Sequence, residues 1–176
     1  MMSTANDHPP HINNGCPIFL PRVGGFTLLE LLISLCILAI LASLAIPNLN
    51  LMLENYRLKT TSRQLVTDLQ LAKMKAVGSK VEYRVTFDAA NNRYSIDQGN
   101  SFLNSTAWTQ TGVYRNFSDA TNPYYAKGIT FNDGFTGHQV IFSPMGQASQ
   151  TASVTFSTPH YTKNVAVTFT GRIWVN

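Results

Sequence analysis

One carboxylate in this chain stands where its charge is expensive. Glu30 lies inside an apolar run covering residues 26–46 and follows Gly25 by five positions. An ionised group inside a run of that kind costs about 2.5–3.5 kcal/mol on insertion scales, so an acid kept there needs a partner or a task. The other residues able to do chemistry are scattered. His8 and His11 sit in a leader containing Pro9, Pro10, Pro17 and Pro21; a metal site would need a third ligand on a rigid segment, and a floppy tail is the plainer reading. His138 and His160 are the only later histidines, and the two cysteines, Cys16 and Cys36, both precede residue 56. Ser143 lacks a nucleophile elbow, and neither a glycine-rich phosphate loop nor zinc-type spacing occurs. The sequence offers no catalytic constellation, metal site or cofactor site, which argues against an enzyme.

The elements around Glu30 explain why it is there. The 176 residues suffice for one membrane helix and one modest domain. From residue 56 onward twelve Lys and Arg oppose six Asp and Glu, a net +6. Such a balance suits solubility and also attracts nucleic acid or anionic lipid. No cysteine falls in that region, so the domain must hold together through its own core. Cys36 reads as a small apolar residue in the run.

Three readings of the apolar run compete. A secretory signal peptide cut near Ser43-Leu44-Ala45 would have a shorter apolar core, roughly 7–15 residues. A plain membrane anchor, which needs roughly 20 apolar residues, leaves Glu30 unexplained. The third is a leader cut immediately before the run. Gly25-Phe26-Thr27-Leu28-Leu29-Glu30 resembles the prepilin-peptidase site of type IV pilins and type II secretion pseudopilins. The resemblance implies cleavage after Gly25 and N-methylation of the new terminal Phe26, and its helix proline matches Pro47. It also gives Glu30 a role: pairing with the Phe26 amine of a neighbouring subunit and setting filament register. Phe26 and Glu30, four apart, would share one helix face. A protonated or internally paired acid is the plainer alternative. Charge bias alone opposes the implied topology, because Arg57, Lys59 and Arg63 follow the run while only Arg22 precedes it. The resemblance places the leader inside and the domain outside.

Downstream, Pro47 removes a backbone donor and predicts a kink, flanked by Asn48 and Asn50. Leu58, Leu65, Leu69, Ala72 and Ala76 then form one apolar stripe. One helix over residues 26–77 follows, with Gly78 as its stop and Lys73 and Lys75 suited to its negative end. Val81, Tyr83, Val85 and Phe87 alternate with polar residues, Asp88–Asn92 turns, and residues 93–97 return as the second strand of a hairpin. Residues 98–127 read as an irregular loop whose Trp108, Tyr114, Phe117, Tyr124 and Tyr125 pin it to the core or bind a partner. Asn104 and Asn116 match glycosylation acceptors by coincidence. Strands are predicted at 128–131, 139–142, 153–156, 164–169 and 173–175, with turns at Asp133-Gly134 and Pro144-Met145-Gly146.

The class is therefore α+β: a long N-terminal helix, half membrane and half amphipathic, packed on an antiparallel sheet. With the resemblance, the expected divisions are a leader at 1–25, a transmembrane and assembly helix at 26–55, and a periplasmic domain at 56–176. Val140-Ile141-Phe142-Ser143-Pro144-Met145-Gly146 with Gly171-Arg172-Ile173 resembles the GspH/FimT branch of minor pseudopilins and pilins. The resemblance implies a structural subunit of a type II secretion pseudopilus or type IV pilus in the bacterial inner membrane. Its partners would be other pilins, the prepilin peptidase and the membrane. Pilus-type members of the branch capture DNA for transformation through a C-terminal Gly-Arg-x-Arg stretch. Here Gly171 and Arg172 match and Trp174 replaces the second arginine. Lys163, Arg172 and Trp174 are the candidate DNA-binding set, with Trp174 either stacking on a base or packing in a strand.

Overall fold

The computed structural model describes residues 24–176. The readings placed on His8, His11, Cys16 and Arg22 lie outside the described residues, and so do the side chains of 44–48, Pro47 among them. The chain divides into two compact units, one ending at Leu41 and one covering Ala42–Asn176.

Helix α1 covers Leu28–Ser79, two residues later at each end than its pattern predicts. Thr27 sets the start. Its Oγ1 accepts a hydrogen bond from the Glu30 amide at 3.2 Å, and its carbonyl accepts from Leu31 N at 3.1 Å. This is the N-cap arrangement, with an acid at the third helical position where the helix dipole favours it. At the far end Gly78 remains helical, and Lys80 takes the left-handed conformation at φ 58°. Among the described residues no helix is long and apolar enough to cross a membrane. The described part of the apolar run within α1, residues 28–43, is shorter than the roughly 17–25 residues a span requires.

Within the second unit the helix stripe falls where its periodicity places it. Leu58, Leu65, Leu69, Ala72 and Ala76 are all fully buried. They share one core with Val85, Ile96 and Val140 on one sheet and Val154, Phe156, Val165 and Val167 on another. The strands are β1 (Tyr83–Asp88), β2 (Arg93–Gly99), β3 (Trp108–Asn116), β4 (Thr130–Asp133), β5 (Gln139–Phe142), β6 (Ala152–Ser157), β7 (Thr162–Val167) and β8 (Ile173–Val175). They form two antiparallel four-stranded sheets, ordered β3-β2-β1-β5 and β4-β6-β7-β8. The helix-on-antiparallel-sheet class holds, and the sheet is in two parts.

β3 corrects the loop reading of 98–127. It pairs with β2 across a bulge between Ile96 and Asp97, and Gly112 at φ 81° supplies the irregular backbone. Glu82, immediately before β1, is buried although the alternation puts it with the polar positions. Its carboxylate accepts from the amides of Asn104 at 3.1 Å and Ser105 at 2.7 Å, which fixes the segment before β3. Phe117 enters the core between the sheets, with ring centroids 5.7 Å from Tyr94 and 6.0 Å from Phe156.

Two sheet edges are covered. Gln150 Nε2 donates to the Gln139 carbonyl, while Ile141 donates to Ser149 Oγ and accepts from the Ser149 amide, which closes the open side of β5. Asn92 closes β4 and joins the sheets. Its Nδ2 donates to the Ile129 carbonyl at 2.6 Å and its Oδ1 accepts from Phe131 N at 3.2 Å.

Candidate functional site

The N-terminal residues of interest are exposed. Gly25 and Phe26 precede α1, and Phe26 is 82% accessible. Because Phe26 lies outside the helix, the one-face relation with Glu30 is not formed within the chain. Glu30 occupies the first turn, and among the described residues its carboxylate has no ion-pair partner. The bond after Gly25 lies two residues ahead of the Thr27 cap, so cutting it leaves the helix start intact.

The C-terminal set is split between two sheet faces. In β7 and β8, Val167 pairs with Ile173, Ala166 with Trp174 and Val165 with Val175. The buried valines define the inner face, so Trp174 lies on the outer one. Arg172 joins it there, its guanidinium carbon 5.5 Å from the Trp174 ring centroid. Lys163 pairs with the buried Phe156 and belongs to the inner face. The structure therefore unites Arg172 with Trp174 and separates Lys163 from both.

Gly171 has a steric task. It lies at φ 74°, and a Cβ added there would collide with the Gly146 carbonyl oxygen. Lys73 Nζ donates to the Gly171 carbonyl at 2.9 Å, so Lys73 clasps the turn before β8 rather than the helix end. Gly171→Ala is expected to lose about 2–4 kcal/mol from left-handed strain plus overpacking. Urea unfolding followed through the two tryptophans, Trp108 and Trp174, would measure it.

Sequence reasoning missed a buried ionic cluster between α1 and the sheet. Arg115 Nε and Nη2 donate to Asp68 at 2.8 and 3.1 Å, Tyr94 Oη donates to Asp68 at 2.8 Å, and Gln64 Nε2 donates at 3.2 Å. The Arg115 guanidinium also lies over the Tyr124 ring, 3.8 Å from its centroid. Burial, and then the Asp68 charge, pushes the Tyr94 hydroxyl well above the ordinary tyrosine range. Hydrogen bonds from Thr121 hold the Asp119 carboxyl in the same loop below its usual range. Of the predicted loop aromatics, Phe117 is a core residue and Arg84 covers Trp108 at 4.5 Å, whereas Tyr124 and Tyr125 are left on the surface.

The two described histidines each lie against a carboxylate. His138 Nδ1 lies 3.1 Å from Asp133, and His160 Nδ1 lies 3.0 Å from Glu54 on α1. Among the described residues no group of three or more His, Cys, Asp and Glu converges as a metal site.

Residues 20–46 match the prokaryotic N-terminal methylation motif. Residues 61–171, most of the second unit, match the family described as type II transport protein GspH. The chain belongs to the GspH family. Solved structures similar to this GspH-family chain include the minor pseudopilin EpsH from the type 2 secretion system of Vibrio cholerae. That protein is 13% identical with a TM-score of 0.53, and the match covers 68% of this chain and 96% of EpsH. The type IV minor pilin FimU of Pseudomonas aeruginosa, strain PAO1, is 14% identical with a TM-score of 0.53, covering 70% and 90%. Both likenesses establish the type IV pilin-like fold. No curated protein sequence matches the GspH-family chain. GspH membership and the methylation motif make it a structural subunit of the minor pseudopilin or minor pilin class.

Proposed function

We propose that the chain enters the bacterial inner membrane through its apolar run, is cut after Gly25 by a prepilin peptidase, and is methylated on Phe26. The processed subunit assembles through its N-terminal helix into a type II secretion pseudopilus or a type IV pilus, at the initiating or tip complex, with the domain on the periplasmic side. One observation carries this reading: an exposed Gly25-Phe26 bond stands just ahead of a helix whose first turn holds a carboxylate without an ion-pair partner among the described residues. In hydrocarbon that acid is costly alone and cheaper opposite an amine, which cleavage creates on each neighbour. Pro47 acts as a soft point in the assembly helix.

Glu30→Leu should insert at least as well and be trimmed to mature size on a gel. It should enter filaments at least tenfold less, scored by sheared-filament immunoblot. Incorporation at the wild-type level would overturn the register role.

DNA uptake is the second reading. The stacked Arg172–Trp174 pair on the outer face favours it, and the position of Lys163 on the other face weakens it. If the pair binds duplex DNA, Arg172→Ala should abolish an electrophoretic shift at low salt while Lys163→Ala leaves it in place. Absence of a shift with the unmutated chain removes this reading.

A further inference from the structure

The outward face of α1 changes character within the second unit. Leu49, Met52, Leu53 and Tyr56 are spaced three, one and three residues apart and are 48–70% exposed. That spacing puts them on one helical stripe. Farther along the same face the exposed residues are Lys59, Thr60, Arg63, Thr67 and Gln70, as a solvent-facing stripe should be. The apolar stripe runs into a groove of about 210 Å³ between α1 and the segment 117–126, lined by Tyr56, Arg57, Thr60, Pro123, Tyr124 and Tyr125. The groove is smaller than the roughly 300–1,000 Å³ of small-molecule sites, and suits side chains better than a cofactor.

Charge narrows the occupant. No carboxylate lines the groove. Arg57 opens into it, Lys59 stands on the other flank of the stripe and Arg63 continues the stripe two turns beyond Tyr56; none of the three makes an ion pair among the described residues. Glu54, the nearest acid on the helix, is engaged by His160. An apolar stripe with i, i+3, i+4, i+7 spacing fits another helix, ridge against groove. Its basic flanks fit carboxylates on that helix.

We infer that the Leu49–Tyr56 stripe and the tyrosine groove receive the α-helix of a neighbouring filament subunit. Aliphatic side chains of that helix enter between Tyr56, Tyr124 and Tyr125, and acids one or two turns away face Arg57, Lys59 and Arg63. This rests on the assembly reading above and assigns the segment 117–126 as the element that recognises the neighbour.

The test uses the full chain in cells that assemble the filament, with Tyr125→p-benzoylphenylalanine as a photo-crosslinker. Illumination should give an adduct with a second subunit carrying an N-terminal methylation motif, mapped by peptide mass to its helix. The yield should fall at least fivefold when Arg57, Lys59 and Arg63 are all changed to Glu. Tyr125→Ser should lower filament incorporation several-fold while trimming after Gly25 stays normal. The inference is overturned if the crosslinker is found in filaments yet joins only lipid, only nucleic acid or nothing, or if Tyr125→Ser incorporates like wild type. If the unmutated chain is absent from filaments, the assembly reading falls and takes this inference with it.

Discussion

Asp68→Ala is expected to destabilise the domain by about 3 kcal/mol, or roughly 10 °C in Tm. Asp68 is 2% exposed and Arg115 13%. Removing the acid leaves a guanidinium almost shut from water, held only by the Tyr124 ring. It also strips the Tyr94 hydroxyl of its acceptor. Asp68→Asn keeps an acceptor oxygen but not the charge and should lose less, so the gap between the two variants isolates the ionic part. The cluster also sets an alkaline limit. The hydroxyl of Tyr94 holds its proton more tightly folded than unfolded, so above the ordinary tyrosine value of about 10 the unfolded chain releases that proton first. Stability is full below that pH and declines as pH rises beyond it. Tyr94→Phe should flatten the decline in urea midpoints measured between neutral and strongly alkaline pH. An unchanged slope would place its cause elsewhere.

Asn92→Ala should lose about 2–4 kcal/mol through a different mechanism. Its side chain satisfies the Ile129 carbonyl and the Phe131 amide, and each buried backbone group left without a partner costs about 1–3 kcal/mol. Asn92 also sits at φ 53°, where alanine is strained and asparagine is tolerated. Asn92→Gly restores the backbone freedom without the amide. It should recover about 1 kcal/mol of the loss, and the remainder measures the link between the sheets. The comparison needs only thermal or urea unfolding of the three chains side by side. Equal stability of the alanine and glycine variants would show that the left-handed conformation carries no cost.

Local pattern reached some of these features and not others. The helix stripe from Leu58 to Ala76 was legible because burial at 3.6-residue spacing leaves a direct mark. The β1–β2 hairpin was legible because alternation and the Asp88–Asn92 turn coincide. β3 was hidden: Trp108-Thr109-Gln110-Thr111-Gly112-Val113 carries polar residues on both faces, and the bulge at its centre breaks the period of two. The division into two sheets was hidden because it depends on which distant strands pair, and β1 takes β5 as a neighbour across more than fifty residues. Asp68 looked like one more polar helix residue, since its partners Tyr94 and Arg115 lie 26 and 47 residues away. Lys163 and Arg172 looked like one basic set, and only the pairing register of β7 with β6 and β8 assigns them to opposite faces. The N-terminal methylation motif was legible because the spacing of Gly25, Phe26 and Glu30 is itself the signal.

The guarded sheet edges bear on how such a subunit can wait among copies of itself. An open, regular strand edge is a template for the next chain. Here Ser149 and Gln150 occupy the edge of β5, Asn92 occupies that of β4, β3 is broken by its bulge, and β8 is three residues long. Crowded side by side, these domains have little means of zipping into a stray ribbon. In the proposed filament, polymerisation is then left to the helices, and whatever triggers helix stacking would decide when a filament begins.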